Sequence, residues 1–157
     1  MPGLYIDKDL VLVNLEVQDR DDVIVRLSRL ALAKDLVSEE FIPNVLRREL
    51  EFPTGLDTGV PVAIPHIGEG CRKSFLSVAT LKSPVLFGAM DGSEHELGVR
   101  IVFLFGITNP QEQVEVLKRF VRVFQERCSL ERMIGLDDPE EAIRLLKTLL
   151  GECLITG

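Results

Sequence analysis

Residues 98–106 read GVRIVFLFG, a nearly unbroken apolar run with glycine at both ends. A strand with one face in water alternates apolar and polar residues, whereas a strand buried on both faces has no reason to alternate. The run therefore predicts a central strand covered from both sides, and the covering layers must be helices. The expected fold is a single-domain α/β sandwich over residues 1–157, a mixed parallel and antiparallel sheet of about five strands flanked by helices on both faces. A chain of 157 residues buries one sizeable core and is hardly long enough for two.

The rest of the chain supplies the flanking elements. Residues 10–17, LVLVNLEV, alternate and are rich in β-branched side chains, which predicts a first strand. From Asp19 the period becomes helical. Val23, Leu27 and Leu30 share a face, and Asp19, Asp21 and Asp22 crowd the first turn, where the helix dipole favours acids. A second helix is expected from about Ser38 as N-cap, with Phe41, Ile42, Val45 and Leu46 on its apolar face. The following EFPTGLDTG holds a proline and two glycines and predicts an irregular loop. Residues 60–64 are a short apolar strand interrupted by Pro61 and stopped by Pro65, hence an edge piece. Residues 75–81 and 84–87 are two further extended segments, and Asp91-Gly92 is a turn. Asn109-Pro110-Gln111-Glu112 and Asp138-Pro139-Glu140-Glu141 each open a helix with a capping residue and a proline at the first helical position. The expected apolar faces are Val114, Leu117, Val121 and Phe124 in the first, and Ile143, Leu146 and Leu150 in the second.

Composition excludes several function classes. The formal net charge of −7, with basic residues scattered among acids, is the opposite of a nucleic-acid footprint. One tyrosine and no tryptophan leave little aromatic surface for stacking bases or sugars. No apolar stretch is long enough to span a bilayer, and no basic-then-apolar leader opens the sequence, so neither membrane insertion nor export is expected. Three widely spaced cysteines, Cys71, Cys128 and Cys153, fit a reducing cytoplasm better than a disulfide framework. With two histidines and no paired cysteines, no metal site is expected, and nothing in the residues calls for a cofactor.

The chemistry concentrates in residues 54–74, TGLDTGVPVAIPHIGEGCRKS. His66 follows a strand and precedes a glycine-rich turn, and ligands of open α/β sheets gather at loops after strands. An isolated Pro-His pair carries little weight, because most such histidines are idle loop residues. Here Gly55, Gly59, Gly68 and Gly70 flank it and allow another surface to approach the backbone. A neutral imidazole with one nitrogen tied to a backbone carbonyl presents the other as a nucleophile able to attack phosphorus without a metal.

Arg48, Glu49, Pro53, Thr54, Gly55 and Leu56, followed by Val62, Ala63, Ile64, Pro65 and His66, resemble the phosphorylation-site signature of EIIA components of the bacterial sugar phosphotransferase system. The matching class is that of the fructose, mannitol and nitrogen proteins. The likeness continues through Ser83-Pro84-Val85-Leu86-Phe87, the apolar strand at 99–105 and the helix at Gln113, and so covers nearly the whole chain. The resemblance implies that His66 accepts a phosphoryl group from the carrier HPr on Nε2 and passes it to a cysteine of a cognate EIIB, which serves a membrane EIIC. It implies Arg48 beside the phosphoryl group, where a planar, permanently charged fork suits phosphate oxygens, and Thr54 as a hydroxyl donor. Gln113 stands where mannitol and fructose members carry a second histidine. Glutamine donates a hydrogen bond but cannot titrate, and with the Phe-Pro-Thr-Gly-Leu wording it leans toward the galactitol branch. Ile67 is a second departure, bulkier than the small or hydroxylated residue usual there.

Other candidates have plainer readings. His95 sits in a polar turn, and Asp57 is given no role. Cys71 lies near His66 in sequence, with Arg72 and Lys73 positioned to lower its pKa, yet no orienting acid completes a Cys-His pair at recognisable spacing. The expectation is therefore a cytoplasmic phosphocarrier, with two rivals. One is a regulatory module whose phosphorylation state is read by a partner; the other, ranked last, is a hydrolase using Cys71 and His66. The oligomeric state and the sugar stay open.

Overall fold

The computed structural model describes residues 3–157. Its centre is an antiparallel pair, β6 (Phe75–Gly88) and β7 (Glu96–Gly106). The ladder runs from Phe75 opposite Gly106 to Gly88 opposite Glu96, with a register shift between Thr80 and Val85. The two extended segments expected at 75–81 and 84–87 are thus one 14-residue strand, and the polar Lys82-Ser83-Pro84 interruption lies at the irregularity.

Short strands extend this pair on both sides. Along β7 lie β4 (Pro61–Ala63) and β5 (His66–Ile67), both parallel to it, and β3 (Gly55–Asp57) adds antiparallel to β4. Along β6 lie β1 (Leu4–Ile6) and β2 (Val11–Leu15), again parallel, and β8 (Leu154–Thr156) adds to β1. Among the described residues the mixed sheet therefore has eight strands, five of them no longer than three residues and individually too brief to show a period.

The pleat divides the aromatic residues of the core between two layers. Phe103 and Phe105 share one face of β7, and both meet Phe120 of α3 (Pro110–Val123), with ring centroids 5.6 and 5.2 Å away. Phe75 is registered against Gly106, on the opposite parity, and meets Phe41 of α2 (Phe41–Glu51) at 5.7 Å. Helices cover both faces, as the apolar run in β7 requires. The set is completed by α1 (Arg20–Ala33), α4 (Arg127–Ile134) and α5 (Pro139–Leu150). Two N-caps are as expected, Asn109 accepting from the Gln111 N–H and Asp138 from that of Glu140, while Asp19, placed in the first turn by its spacing, is itself the cap of α1 and accepts from the Asp22 N–H. Among the described residues no helix is long and apolar enough to cross a membrane.

Five local expectations are corrected. The 60–64 strand is not at the edge, because β3 covers β4 on its far side; Pro61 is accommodated as the first residue of the strand. For the same reason the EFPTGLDTG segment is not wholly irregular. Ser38 is not an N-cap, since α2 begins at Phe41, and Ser38 instead receives the Phe41 N–H on its carbonyl and donates its own N–H to Gly70. In α3 the buried stripe is Val116, Phe120 and Val123, leaving Val114 and Val121 exposed. The helix carries two apolar stripes, and stacking of Phe120 on Phe103 and Phe105 decides between them. Finally, α4 lies between the two helices that the capping signals predicted.

Candidate functional site

The C-terminal half of α2, strand β5 with the turn after it, and the first turn of α3 enclose a cavity of about 290 Å³. Its walls include His66, Arg48 and Gln113, so three of the four candidate residues come together. Asn44, Arg47, Glu51 and Glu69 complete its polar rim.

His66 belongs to the sheet itself. It is registered against Phe105 across the parallel β5–β7 pair, and its ring lies on the Phe105 ring with centroids 4.7 Å apart and planes within 3°. Its Nδ1 is 2.6 Å from the Ile64 carbonyl oxygen. A carbonyl can only accept, so Nδ1 carries the proton, and in the neutral ring Nε2 keeps the lone pair. Only 8% of His66 is exposed. Burial, aided by the Arg48 charge and opposed by the Ile64 carbonyl, holds its pKa below the ordinary histidine value, which favours that neutral nucleophilic form at neutral pH.

Arg48 is exposed on the last turns of α2, and its guanidinium carbon stands 4.4 Å from the centre of the Phe52 ring. Among the described residues it forms no ion pair, so its full charge faces the cavity uncompensated by a carboxylate contact. Gln113 sits in the first turn of α3, where the helix dipole presents its positive end. A permanent cation, an amide donor and a helix N-terminus around a lone imidazole nitrogen suit an anionic group of phosphate size.

Thr54 is placed differently. It is buried outside the cavity wall, and its hydroxyl donates to Glu49 Oε1 at 2.7 Å while accepting from the Ile64 N–H at 3.2 Å. The hydroxyl proton expected to serve a phosphoryl group is therefore engaged. Glu49 is the residue that sequence reasoning passed over. It is 1% exposed, and its second oxygen accepts the Thr54 N–H at 2.7 Å. Burial pushes its carboxyl up to about 7 against the lowering effect of those two bonds. The signal was present: Phe41, Val45 and Glu49 recur every four residues, so the acid lies on the buried stripe of α2.

The remaining candidates separate cleanly. Cys71 is half-buried, is not part of the cavity wall, and donates its thiol to the Lys73 carbonyl; burial pushes the thiol up to about 11, the reverse of the activation expected from Arg72 and Lys73. His95 is exposed in the β6–β7 turn, and Asp57 accepts from the Gly59 N–H as an exposed turn former between β3 and β4. Two of the flanking glycines serve internal packing. A Cβ on Gly55 would come 2.6 Å from the Gly88 carbonyl oxygen, and Gly70, at φ 81°, would bring one 2.9 Å from the Phe41 nitrogen.

Comparison with known proteins agrees with this architecture. The sequence model of the family described as "Phosphoenolpyruvate-dependent sugar phosphotransferase system, EIIA 2" matches residues 4–148. The galactitol-specific EIIA component of Escherichia coli K12 is 27% identical over 124 residues, spanning 78% of this chain and 82% of that protein. The nitrogen regulatory protein IIA-Ntr of Neisseria meningitidis has the same fold, with a TM-score of 0.73 at 21% identity over 91% of this chain and 96% of that one. So does enzyme IIA for mannitol in its complex with phosphorylated enzyme IIB from Escherichia coli, with a TM-score of 0.73 at 16% identity over 92% and 99%. The chain belongs to the EIIA 2 family of the phosphoenolpyruvate-dependent sugar phosphotransferase system.

Proposed function

We propose that this chain is a cytoplasmic EIIA phosphocarrier: His66 accepts a phosphoryl group from phosphorylated HPr and hands it to a cysteine of a cognate EIIB, which feeds uptake of a galactitol-like sugar through EIIC. The observation that carries the reading is His66 itself, with Nδ1 tied to the Ile64 carbonyl and Nε2 left free in a cavity shared with the unpaired Arg48. The galactitol-specific relative and Gln113 in place of a second histidine support the choice of branch.

In the first exchange the N–P bond of the donor phosphohistidine breaks as the Nε2–P bond forms. The lone pair on Nε2 is consumed, Nδ1 keeps its proton, and the donor imidazole leaves with the electron pair of the broken bond. The transferred group is largely dissociated at the transition state, so positioning and charge stabilisation supply most of the catalysis. Arg48 neutralises the equatorial oxygens, Gln113 donates a hydrogen bond, and the Phe105 stack fixes the plane of the ring. In the second exchange a thiolate of EIIB attacks phosphorus and the neutral His66 is restored.

The test is incorporation of acid-labile phosphate from phosphorylated HPr. Wild type and Cys71→Ala are expected to take up one phosphate per chain and His66→Ala none; label on His66→Ala would overturn the assignment. Chasing the label onto a cognate EIIB separates relay from regulation. Label that moves on supports the carrier, and label that stays supports the regulatory alternative.

A further inference from the structure

We propose that Glu49 is a positioning residue for His66, acting through Thr54 and the Ile64 peptide; the proposal rests on His66 being the phosphoryl acceptor.

The path is continuous. The buried stripe of α2 places the Glu49 carboxyl under the sheet, where its two oxygens take the Thr54 N–H and hydroxyl, both at 2.7 Å. The same hydroxyl receives the Ile64 N–H at 3.2 Å, and the Thr54 carbonyl approaches that N–H at 3.3 Å. The far side of the Ile64 residue, its carbonyl, then takes the His66 Nδ1 proton at 2.6 Å. Between Ile64 and His66 stands Pro65, whose ring fixes φ and whose carbonyl is held by the Phe105 N–H at 3.1 Å. Phe105 sets the plane of the imidazole, and the Ile64 carbonyl sets its rotation and its tautomer. Glu49 and Thr54 set the Ile64 peptide.

A role in stability alone explains Glu49 poorly. Burying a carboxylate is costly unless it is paired, and among the described residues Glu49 has no ion-pair partner. All its bonds go to Thr54, one residue removed from the peptide that holds the reacting ring. With that support lost, the Ile64 N–H keeps only the 3.3 Å contact to the Thr54 carbonyl, and the Ile64 carbonyl shifts off Nδ1. The proton can then move to Nε2, which blocks the nucleophile.

Four variants and two readouts test this. Glu49→Gln and Thr54→Val are each expected to slow phosphoryl uptake about ten- to a hundred-fold, the penalty of a displaced reacting group, with KM for phosphorylated HPr unchanged because the docking surface is intact. Thr54→Ser, which restores the hydroxyl, is expected to recover most of the rate lost in Thr54→Val. The Glu49→Gln/Thr54→Val double variant is expected to be no slower than the slower single. Nitrogen NMR of His66 supplies a readout independent of turnover: wild type should show the proton on Nδ1, and the slowed variants a mixture of tautomers. Wild-type rates in Glu49→Gln and Thr54→Val overturn the proposal, as do slowed rates with an unchanged tautomer. If Glu49→Gln does not fold, Thr54→Val decides alone. If wild type takes up no phosphate, the carrier reading falls, and the tautomer comparison still decides whether Glu49 positions the ring.

Discussion

Removing the charge of Glu49 should alter how the stability of the protein depends on pH, in a direction opposite to that of most carboxylates. An ordinary native-state carboxylate is stabilised by partners, and its contribution disappears as acid protonates it. Glu49 is dominated by burial, which lifts its folded value from 4.5 to about 7, with Arg20 and Asp21 on α1 pulling in opposite directions. Between those two values the folded state holds a proton that the unfolded chain has released. Stability from this group is therefore fully present below the unfolded value and lost as pH rises through the folded one. The displacement corresponds to about 3 kcal/mol in full, of which about 2 to 3 kcal/mol falls between about pH 5 and about pH 8. The assay is urea unfolding of wild type and Glu49→Gln across that range. His66, whose lowered value contributes with the opposite sign, is titrated separately by NMR in both proteins and its share subtracted. Wild type is expected to lose about 2 to 3 kcal/mol relative to Glu49→Gln as pH rises. A difference constant to within about 0.5 kcal/mol, or one that favours wild type at high pH, would refute the argument that burial outweighs the Thr54 bonds.

Three further outcomes are expected. Arg48→Ala should slow phosphoryl uptake at least a hundredfold, in the range of about 3 kcal/mol for a lost charge-stabilising donor, while unfolding shifts by less than about 1 kcal/mol because an exposed helix-end arginine contributes little; equal losses of rate and stability would argue against a role in the site. Phe105→Leu removes the one ring that stacks on both His66 and Phe120 and should cost about 1 to 2 kcal/mol of stability, measured by denaturant unfolding, together with a broadened His66 tautomer signal. Gly70→Ala forces a side chain into a left-handed position 2.9 Å from the Phe41 nitrogen and should lower stability by about 1 to 3 kcal/mol; a neutral melting temperature would mean that the turn relaxes freely.

What could be read in advance follows from how local each signal is. The β7 run, the Asn109 and Asp138 caps and the prolines after them are written within a few residues, and each is where it was expected. Helices on both faces follow from the β7 run, and the mixed sheet from the order of strands and helices along the chain. Strands β1 and β8 were not legible, because three residues show no period and their pairing joins opposite ends of the chain. The face of α3 was undecidable from spacing, since both stripes are apolar and only the aromatic stack on β7 distinguishes them. In the site, Arg48, His66 and Gln113 were found through a motif and do share one cavity. Thr54 belongs to the same motif but turns inward, because its hydroxyl is the link between a carboxylate on α2 and a peptide on the other side of the chain turn. Glu49 was in plain view within the motif and was overlooked, since an acid on a helix is by default taken as a solvated face.

The imidazole of His66 is fixed in a paired strand rather than carried on a mobile loop, and it lines one recess of about 290 Å³. It cannot swing out to meet anyone. On the proposed reading, the donor and the acceptor must each push a reactive side chain into the same opening, so the two can never be bound at once. Throughput then depends on turnover of visitors: whichever protein grips the rim too firmly stalls the next exchange. A shared doorway of this kind rewards encounters that are fast, brief and weak, and it makes an excess of either partner an inhibitor of the other.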